Sequence, residues 1–379
     1  MKIVYCIAGT YNSGGMERVL ANKANYLAAR GYEIVILTTD QRGKQPFFDL
    51  DERIVCHDLD INYEENNGKS FLNKLIHYPF KQWKHRKRLT AYLKRIKADI
   101  AVSMFCNDVS ILWKMNDGSK KLLEIHFSRY KRLQYGRKGV WKLVDLWRSR
   151  MDERTVKNYE RFVVLTNEDK SYWGNLPNIS VIPNALTYSV PSSCLSPLTA
   201  KRVIAIGRYG YQKGFDSLID AWRIIHSFYP DWTLDIIGNG EWLNRLQQQI
   251  NEYALEHSVF LKPPTRHIED EYRRASLLVL SSRYEGLPMV LLEAQSFGLP
   301  IVSFACKCGP KDVITDGEDG FLVSEGNIPM LADRVLRLIE NDDLRKRMGT
   351  NARHHSKAFS EERIMERWID LFNKSVAGR

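Results

Sequence analysis

Apolar positions in this 379-residue chain recur in two forms. Short, near-continuous runs rich in Val, Ile and Leu, such as KIVYCIA at 2–8, VIAI at 203–206 and LLVL at 277–280, predict strands buried on both faces. Between them lie stretches whose apolar residues return every three or four positions and predict helices. The first covers 16–29, where Val19, Leu20, Ala24 and Leu27 share a face and Gly31 marks the stop. On this pattern strands are expected at 2–8, 33–39, 54–59, 99–105, 121–126, 161–166 and 180–182, with a basic helix at 81–97 and another helix at 137–159. NYEENNGK at 62–69 reads as a mobile loop, and the Pro- and Ser-rich PSSCLSPLT at 191–199 as a linker. A second series then begins. Strands at 201–206, 233–237, 259–262, 277–281, 300–304 and 320–323 alternate with helices at 215–228, 241–255 and 288–297, the segment 268–275 continues the alternation, and helices at 329–340, 343–359 and 361–375 close the chain. Alternating strands and helices imply parallel sheets. Their repetition after a linker implies an α/β protein of two Rossmann-like domains facing a central cleft. The expected division is 1–188, 189–360 and a C-terminal helix, 361–379, packing back toward the first domain.

The second series is organised around SSRYEGLPMVLLEAQSFGLPIVS at 281–303. A loop holding Glu285 and Gly286 follows the strand, Pro288 is placed at the first helical position and Gly298 at the helix end. Glu293 falls in the second turn, so it and Glu285 can face one crevice beyond the carboxyl ends of the strands, where open parallel sheets bind ligands. The helix start between the two acids favours an anion such as a diphosphate. Two glutamates at this spacing are by themselves ordinary surface charges. In their setting, E-G-L-P followed by E-A-x-x-x-G-x-P-I-V resembles the family 4 glycosyltransferases, retaining sugar-nucleotide enzymes of the GT-B fold, whose E-x7-E motif Glu285 and Glu293 match. G-G-M-E-R-V-L at 14–20 is similar to that family's G-G-x-E-R, and it lies in the first strand-to-helix loop, where the N–H groups of Gly14 and Gly15 can face an anion.

Other residues gain meaning beside these two. Gly207-Arg208-x4-Lys213-Gly214 places two cations at a strand end and just before a helix, which suits a diphosphate and the negative charge that grows on it as it leaves. The resemblance implies that this is the family's diphosphate clamp and that Gly238 and Gly240 are its G-x-G. It implies further that Glu293 takes the ribose hydroxyls, that Glu285 and the N–H groups of Gly286 and Leu287 meet the donor sugar, and that the segment holding Arg266 and Ile268 meets the base. His126, at the end of the strand KLLEIH, is more often a structural residue by position alone. The family often carries a histidine in this loop, which implies a hydrogen-bond donor to the donor sugar. Glu285, His126, Arg208 and Lys213 are thus the expected catalytic set.

Composition narrows the picture. No run approaches a membrane span, and the apolar part of MKIVYCIAGTYN is too short for a signal peptide, so it is read as a strand. The six cysteines form no CxxC pair and are expected as reduced thiols of a cytoplasmic protein. Two D-x-D triplets, 49–51 and 58–60, lack the context that would set them against a diphosphate, and no metal is expected to be required. The net charge of +11 is concentrated in 81–97, where Trp83, Leu89, Tyr92, Leu93 and Ile96 interleave with lysines and arginines, and in 129–161. These regions read as solvated basic faces, as a peripheral contact with an anionic inner membrane face, or as a groove for a phosphate-rich acceptor. The expected activity is retaining transfer of a sugar from a nucleoside diphosphate donor, a UDP-sugar favoured, to a hydroxyl of a saccharide or lipid-linked saccharide in cell-envelope or capsular polysaccharide synthesis, with no further cofactor. A sugar-nucleotide epimerase of the same fold is the alternative enzyme, opposed by the paired glutamates. A nucleic-acid-binding protein is the alternative of another class, and no recognition motif supports nucleic acid as a partner.

Overall fold

The computed structural model describes residues 1–66, 71–131, 139–187 and 190–378. The end of the expected loop at 62–69, the start of the expected helix at 137 and the expected boundary at 188/189 lie outside these residues. The chain divides into two compact units: Met1–Leu165, Lys170–Ile182 and the segment from Ile364 onward form the first, and Thr166–Asp169 with Pro183–Arg363 form the second.

The first unit holds β1 (Lys2–Ile7), α1 (Gly15–Ala29), β2 (Glu33–Thr38), β3 (Val55–Asp58), α2 (Phe71–Ile96), β4 (Ile100–Ser103), β5 (Lys120–Glu124), α3 (Val140–Val156) and β6 (Arg161–Val164); α4 (Asn167–Trp173) then leads to β7 (Ile179–Val181). Its seven strands are parallel in the order β3-β2-β1-β4-β5-β6-β7. The chain winds outward from β1 to one edge, returns beside β1 with β4 and winds outward to the other, leaving a switch point between β1 and β4. β1, β4 and β5 are buried almost throughout, which is why they read as continuous apolar runs. The edge strand β3 is largely exposed.

The second unit repeats the plan with β8 (Arg202–Ile206), α5 (Phe215–Phe228), β9 (Thr233–Ile237), α6 (Leu243–Glu252), β10 (Val259–Lys262), α7 (Ile268–Arg273), β11 (Leu277–Leu280), α8 (Met289–Ser296), β12 (Ile301–Phe304), α9 (Pro310–Val313), β13 (Gly320–Val323), α10 (Ile328–Glu340) and α11 (Asp342–Ser356). The six parallel strands run β10-β9-β8-β11-β12-β13, with the switch point between β8 and β11. Its core joins Leu218, Trp222 and Ile225 of α5 to Val335 and Leu338 of α10 across the inward residues of the sheet. The closing helix α12 (Glu361–Ala377) buries Ile364, Met365, Trp368 and Phe372 and, from Ile364, belongs to the first unit.

Three local outcomes differ from the sequence reading. The expected linker at 191–199 is stitched into the second unit: Ser196 N–H donates to Phe297 O at 3.0 Å, and Arg345 donates to Leu198 O at 3.1 Å. Helix α4 was not expected, because seven mostly polar residues carry no apolar period. The Thr166 hydroxyl accepts from Asp169 N–H at 3.0 Å, so T-N-E-D was the available signal for its start. Finally, of the readings left open for 81–97, the structure shows the apolar stripe in the core: Leu89, Tyr92 and Leu93 are buried among Val35, Leu37 and Ala101, and of that stripe Trp83 is the exposed member.

One buried acid sits in this first core. Asp108 is enclosed behind the end of β4, one carboxyl oxygen has no hydrogen-bond partner, and burial pushes its pKa up to about 7 against the pull of the Ser103 hydroxyl. A folded-state pKa raised in this way favours the folded chain most below the unfolded value of about 4 and loses that advantage as pH rises toward 7. Asp108→Asn should therefore match the parent in thermal melts at pH 4 and exceed it at pH 8. Equal melting at both pH values would contradict the assignment.

Candidate active site

At the switch point of the second unit the loops after β8 and β11 are tied together by side chains. Lys213 Nζ donates to Glu285 Oε1 at 2.6 Å, and the Ser282 hydroxyl donates to the same oxygen at 2.6 Å. Gln212 donates to Tyr284 O at 3.0 Å, Ser281 Oγ to Lys213 O at 2.9 Å, and Arg283 bridges Tyr211 O and Asp216. Glu285 is buried, and its backbone N–H donates to Lys307 O at 2.7 Å, so the carboxylate is fixed from both backbone and side chain.

Glycines make this approach possible. Gly214 has φ +62°, and a Cβ there would lie 2.2 Å from Ser281 O, so the position before α5 admits no side chain. A Cβ at Gly238 would lie 1.9 Å from Gly207 O, so that glycine lets the loops after β8 and β9 touch. Gly207 and Gly240 lie in the same packing. Arg208 is different: its side chain is 76% exposed and pairs with Glu241 at 3.0 Å, which leaves it free to reorient. Arg266 is exposed in the loop before α7, and Ile268 is the first residue of that helix.

Pro288 is the residue before α8 rather than its first turn, and Leu287 is buried beside it while Gly286 is partly exposed. Neither α8 nor α5 has a side-chain cap, whereas α10 and α11 are capped by Asn327 and Asn341. First-turn N–H groups without a side-chain cap, set beside Lys213, suit the oxygens of an anion. Glu293 is buried in the second turn of α8 and accepts from Tyr272 Oη at 2.7 Å, with the Tyr272 ring stacked on Phe297.

In the first unit, Gly14 precedes α1 with extended backbone, and this N-terminus also lacks a side-chain cap. The Glu17 carboxylate occupies the space a side chain at Gly14 would fill, while the space beside Gly15 is open. His126 lies just beyond β5. Its side chain is nearly enclosed, Nε2 sits 2.9 Å from Glu124 Oε1 as an ion-pair contact, and neither ring nitrogen makes a hydrogen bond among the described residues. Glu124 accepts from Lys23, whose ammonium lies 3.6 Å from the centre of the Trp368 ring. Burial works to raise the Glu124 carboxyl, but the charges of Lys23 and His126 beside it outweigh it and hold the pKa at about 2. Lys23 in turn is lowered by burial against the pull of Glu124. The sequence reading took His126 without these partners. Their signal was present: Lys23 interrupts the apolar face formed by Val19, Leu20 and Leu27, and Glu124 interrupts an apolar strand. Of the two D-x-D triplets, Asp51 holds Arg53 and Asp60 pairs with Arg88.

The doubled Rossmann plan, with a switch point in each unit, is that of the GT-B fold. The description "Glycosyltransferase Family 4" matches residues 13–188, and "Glycosyl transferases group 1" matches 192–355. An uncharacterized glycosyltransferase of Haemophilus influenzae is 32% identical over 372 residues, 97% of this chain and 98% of its own. The amylovoran biosynthesis glycosyltransferase AmsD of Erwinia amylovora is 28% identical over 388 residues, 98% and 99% of the two chains. A mutant of S. aureus TarM, solved with Fondaparinux, alpha-GlcNAc-glycerol and UDP, shares the fold with a TM-score of 0.77 at 19% identity, over 98% of this chain and 99% of its own. The chain belongs to the family 4 glycosyltransferases.

The buried triad allows a direct test. Lys23→Met leaves Glu124 as an uncompensated buried charge and should cost about 3–5 kcal/mol in denaturant unfolding. The double variant Lys23→Met with Glu124→Gln should recover most of that loss. A single variant as stable as the parent would show that the pair does not hold this part of the unit.

Proposed function

We propose that this glycosyltransferase transfers a hexosyl unit with retention, from a UDP-sugar to a saccharide or lipid-linked saccharide acceptor, in the synthesis of a cell-envelope polysaccharide and without a required metal ion. The observation that carries the reading is the Lys213–Glu285 pair at the switch point, between two helix N-termini that no side chain caps. In this reading Lys213 and Arg208 receive the diphosphate, Arg208 by leaving Glu241, and both stabilise the charge that develops as the phosphate departs. Glu293, oriented by Tyr272, takes the ribose hydroxyls. Glu285 and the N–H groups of Gly286 and Leu287 receive the sugar, with Gly238 and Gly240 shaping the loop wall and Arg266 and Ile268 near the base. His126 offers Nδ1 to a sugar hydroxyl, and Gly14 and Gly15 open the loop above α1 to the donor. Family chemistry supplies the rest: the acceptor hydroxyl attacks on the face the diphosphate leaves, and a leaving phosphate oxygen takes its proton. The UDP in the TarM complex and the amylovoran pathway in the name of AmsD support the donor and the pathway.

Calorimetry with UDP, GDP and ADP tests the donor. UDP should bind tightest, and Glu293→Gln should weaken it roughly ten- to hundredfold, the value of charge-assisted hydrogen bonds. Unchanged affinity in that variant would remove Glu293 from the ribose.

Turnover tests the clamp. Arg208→Ala should lower kcat by about a hundredfold with little change in donor KM, because the interaction strengthens as charge builds. Lys213→Ala should lower kcat at least as far, because it also leaves the buried Glu285 carboxylate without its ammonium. Activity should persist in EDTA. Loss that manganese restores would overturn the metal-free reading.

A further inference from the structure

Once the apolar stripe of α2 is spent on the core, its cations remain to be accounted for. Arg88 and Arg95 stand seven residues apart on one side of the helix, about 10.5 Å along its axis. With Tyr92 between them, and with His57 and Asp58 of the edge strand β3, they line an open pocket of about 420 Å³, the size of a small-molecule site. Its lining is mixed. The His57 ring lies flat on Tyr92, with 4.4 Å between centroids and 16° between planes, while the residue itself stays exposed. Burial and the charge of Arg95 lower the His57 pKa against the pull of Asp58, so the imidazole is neutral at pH 7 and offers one donor and one acceptor. Arg95 is exposed, lies 4.8 Å from the centre of the Tyr92 ring, and has no ion-pair or hydrogen-bond partner among the described residues. Arg88 gives Nη1 to Leu59 O and Asp60 and stays 44% exposed. Asp58 accepts from the Thr38 hydroxyl at 3.1 Å and from Arg42 N–H at 3.2 Å, one bond to each oxygen, which leaves capacity for a further donor.

We propose that this pocket is a second saccharide site, which holds an acidic oligosaccharide by its anionic groups on Arg88 and Arg95 and by its hydroxyls on His57 and Asp58. Two separated arginines suit charges spaced along a chain rather than one compact anion. The acid selects the occupant. A nucleic-acid backbone or a layer of lipid headgroups would press phosphates against Asp58 and the exposed Asp60, whereas a sugar hydroxyl donates to a carboxylate. The edge strand β3 lies four strands from β5, the strand that leads to His126, so a ligand here does not take the donor's place. A growing acidic polymer held at this pocket stays tethered to the enzyme between transfers. The choice of a saccharide rests on the proposed role in polysaccharide synthesis; the charge pattern of the pocket does not.

The test is calorimetry of the full chain with a hyaluronan hexasaccharide, which carries a carboxylate on alternate residues, against neutral maltohexaose. The acidic hexasaccharide should bind and the neutral one should not. Arg95→Gln should weaken binding roughly tenfold, the lower end for a charge-assisted hydrogen bond because the site is open, and His57→Ala should weaken it severalfold. Arg86→Gln removes the same charge from the other side of α2 and should leave the affinity unchanged. The three residues are exposed, so thermal melts should match the parent and separate lost binding from lost folding. No binding of the acidic hexasaccharide, equal binding of maltohexaose, or an equal loss in Arg86→Gln would overturn the proposal. So would tighter binding of a single-stranded oligodeoxynucleotide that Arg95→Gln abolishes. A parent chain that binds the hexasaccharide but not UDP would refute the donor reading and leave this site standing; one that binds UDP but not the hexasaccharide would overturn this site alone.

Discussion

Every strand of both sheets is parallel, so each must be entered from the same end and left at the other. That constraint governs the rest of the architecture. The crossovers cover both faces of each sheet, which makes the central strands apolar throughout, and they gather all the strand-to-helix loops of a unit along one edge. With winding that reverses once, between β1 and β4 and again between β8 and β11, two neighbouring loops diverge and leave room for a ligand. The residues that carry chemistry in the second unit lie in those loops because no other part of a doubly wound sheet offers uncovered backbone N–H groups facing a gap.

Within that gap the electrostatics are set before any ligand arrives. Lys213 and Glu285 neutralise one another in a largely enclosed position, which keeps the loops joined and avoids the penalty of an isolated buried charge. The Lys213 ammonium is thereby held in place by Glu285 and Ser282 rather than left to solvent. Arg208 has the opposite character, solvated and paired with a surface acid, and can follow the ligand. One cation is thus fixed and the other solvated.

The strand and helix order was readable from the sequence wherever an element is buried on a fixed face: β1, β8, β11 and α5 show their period without ambiguity. Reading failed where burial and periodicity part company. The stripe Leu89, Tyr92 and Leu93 looks the same whether it meets a core or a bilayer, since both are apolar, and only the tertiary structure distinguishes them. Helix α4 is too short to show a period. For the site, the positions of Glu285, Glu293 and Lys213 followed from motif and context. The partners that fix them, Ser282 and Tyr272, come from residues that carry no motif, as do Lys23 and Glu124 beside His126.

After touching the second unit at Thr166–Asp169, the chain runs through it from Pro183 to Arg363 and then returns to finish the first with the helix whose Trp368 covers Lys23. The second unit is continuous in sequence from Pro183 and can close as soon as it has left the ribosome. All seven strands of the first come earlier, but the ammonium of Lys23 gains its aromatic cover only once Trp368 has been made. Synthesis in the amino-to-carboxyl direction therefore completes the later-encoded unit before the earlier one, and a chain that stalls before Trp368 would expose an unfinished amino-terminal core to the quality-control machinery of the cell.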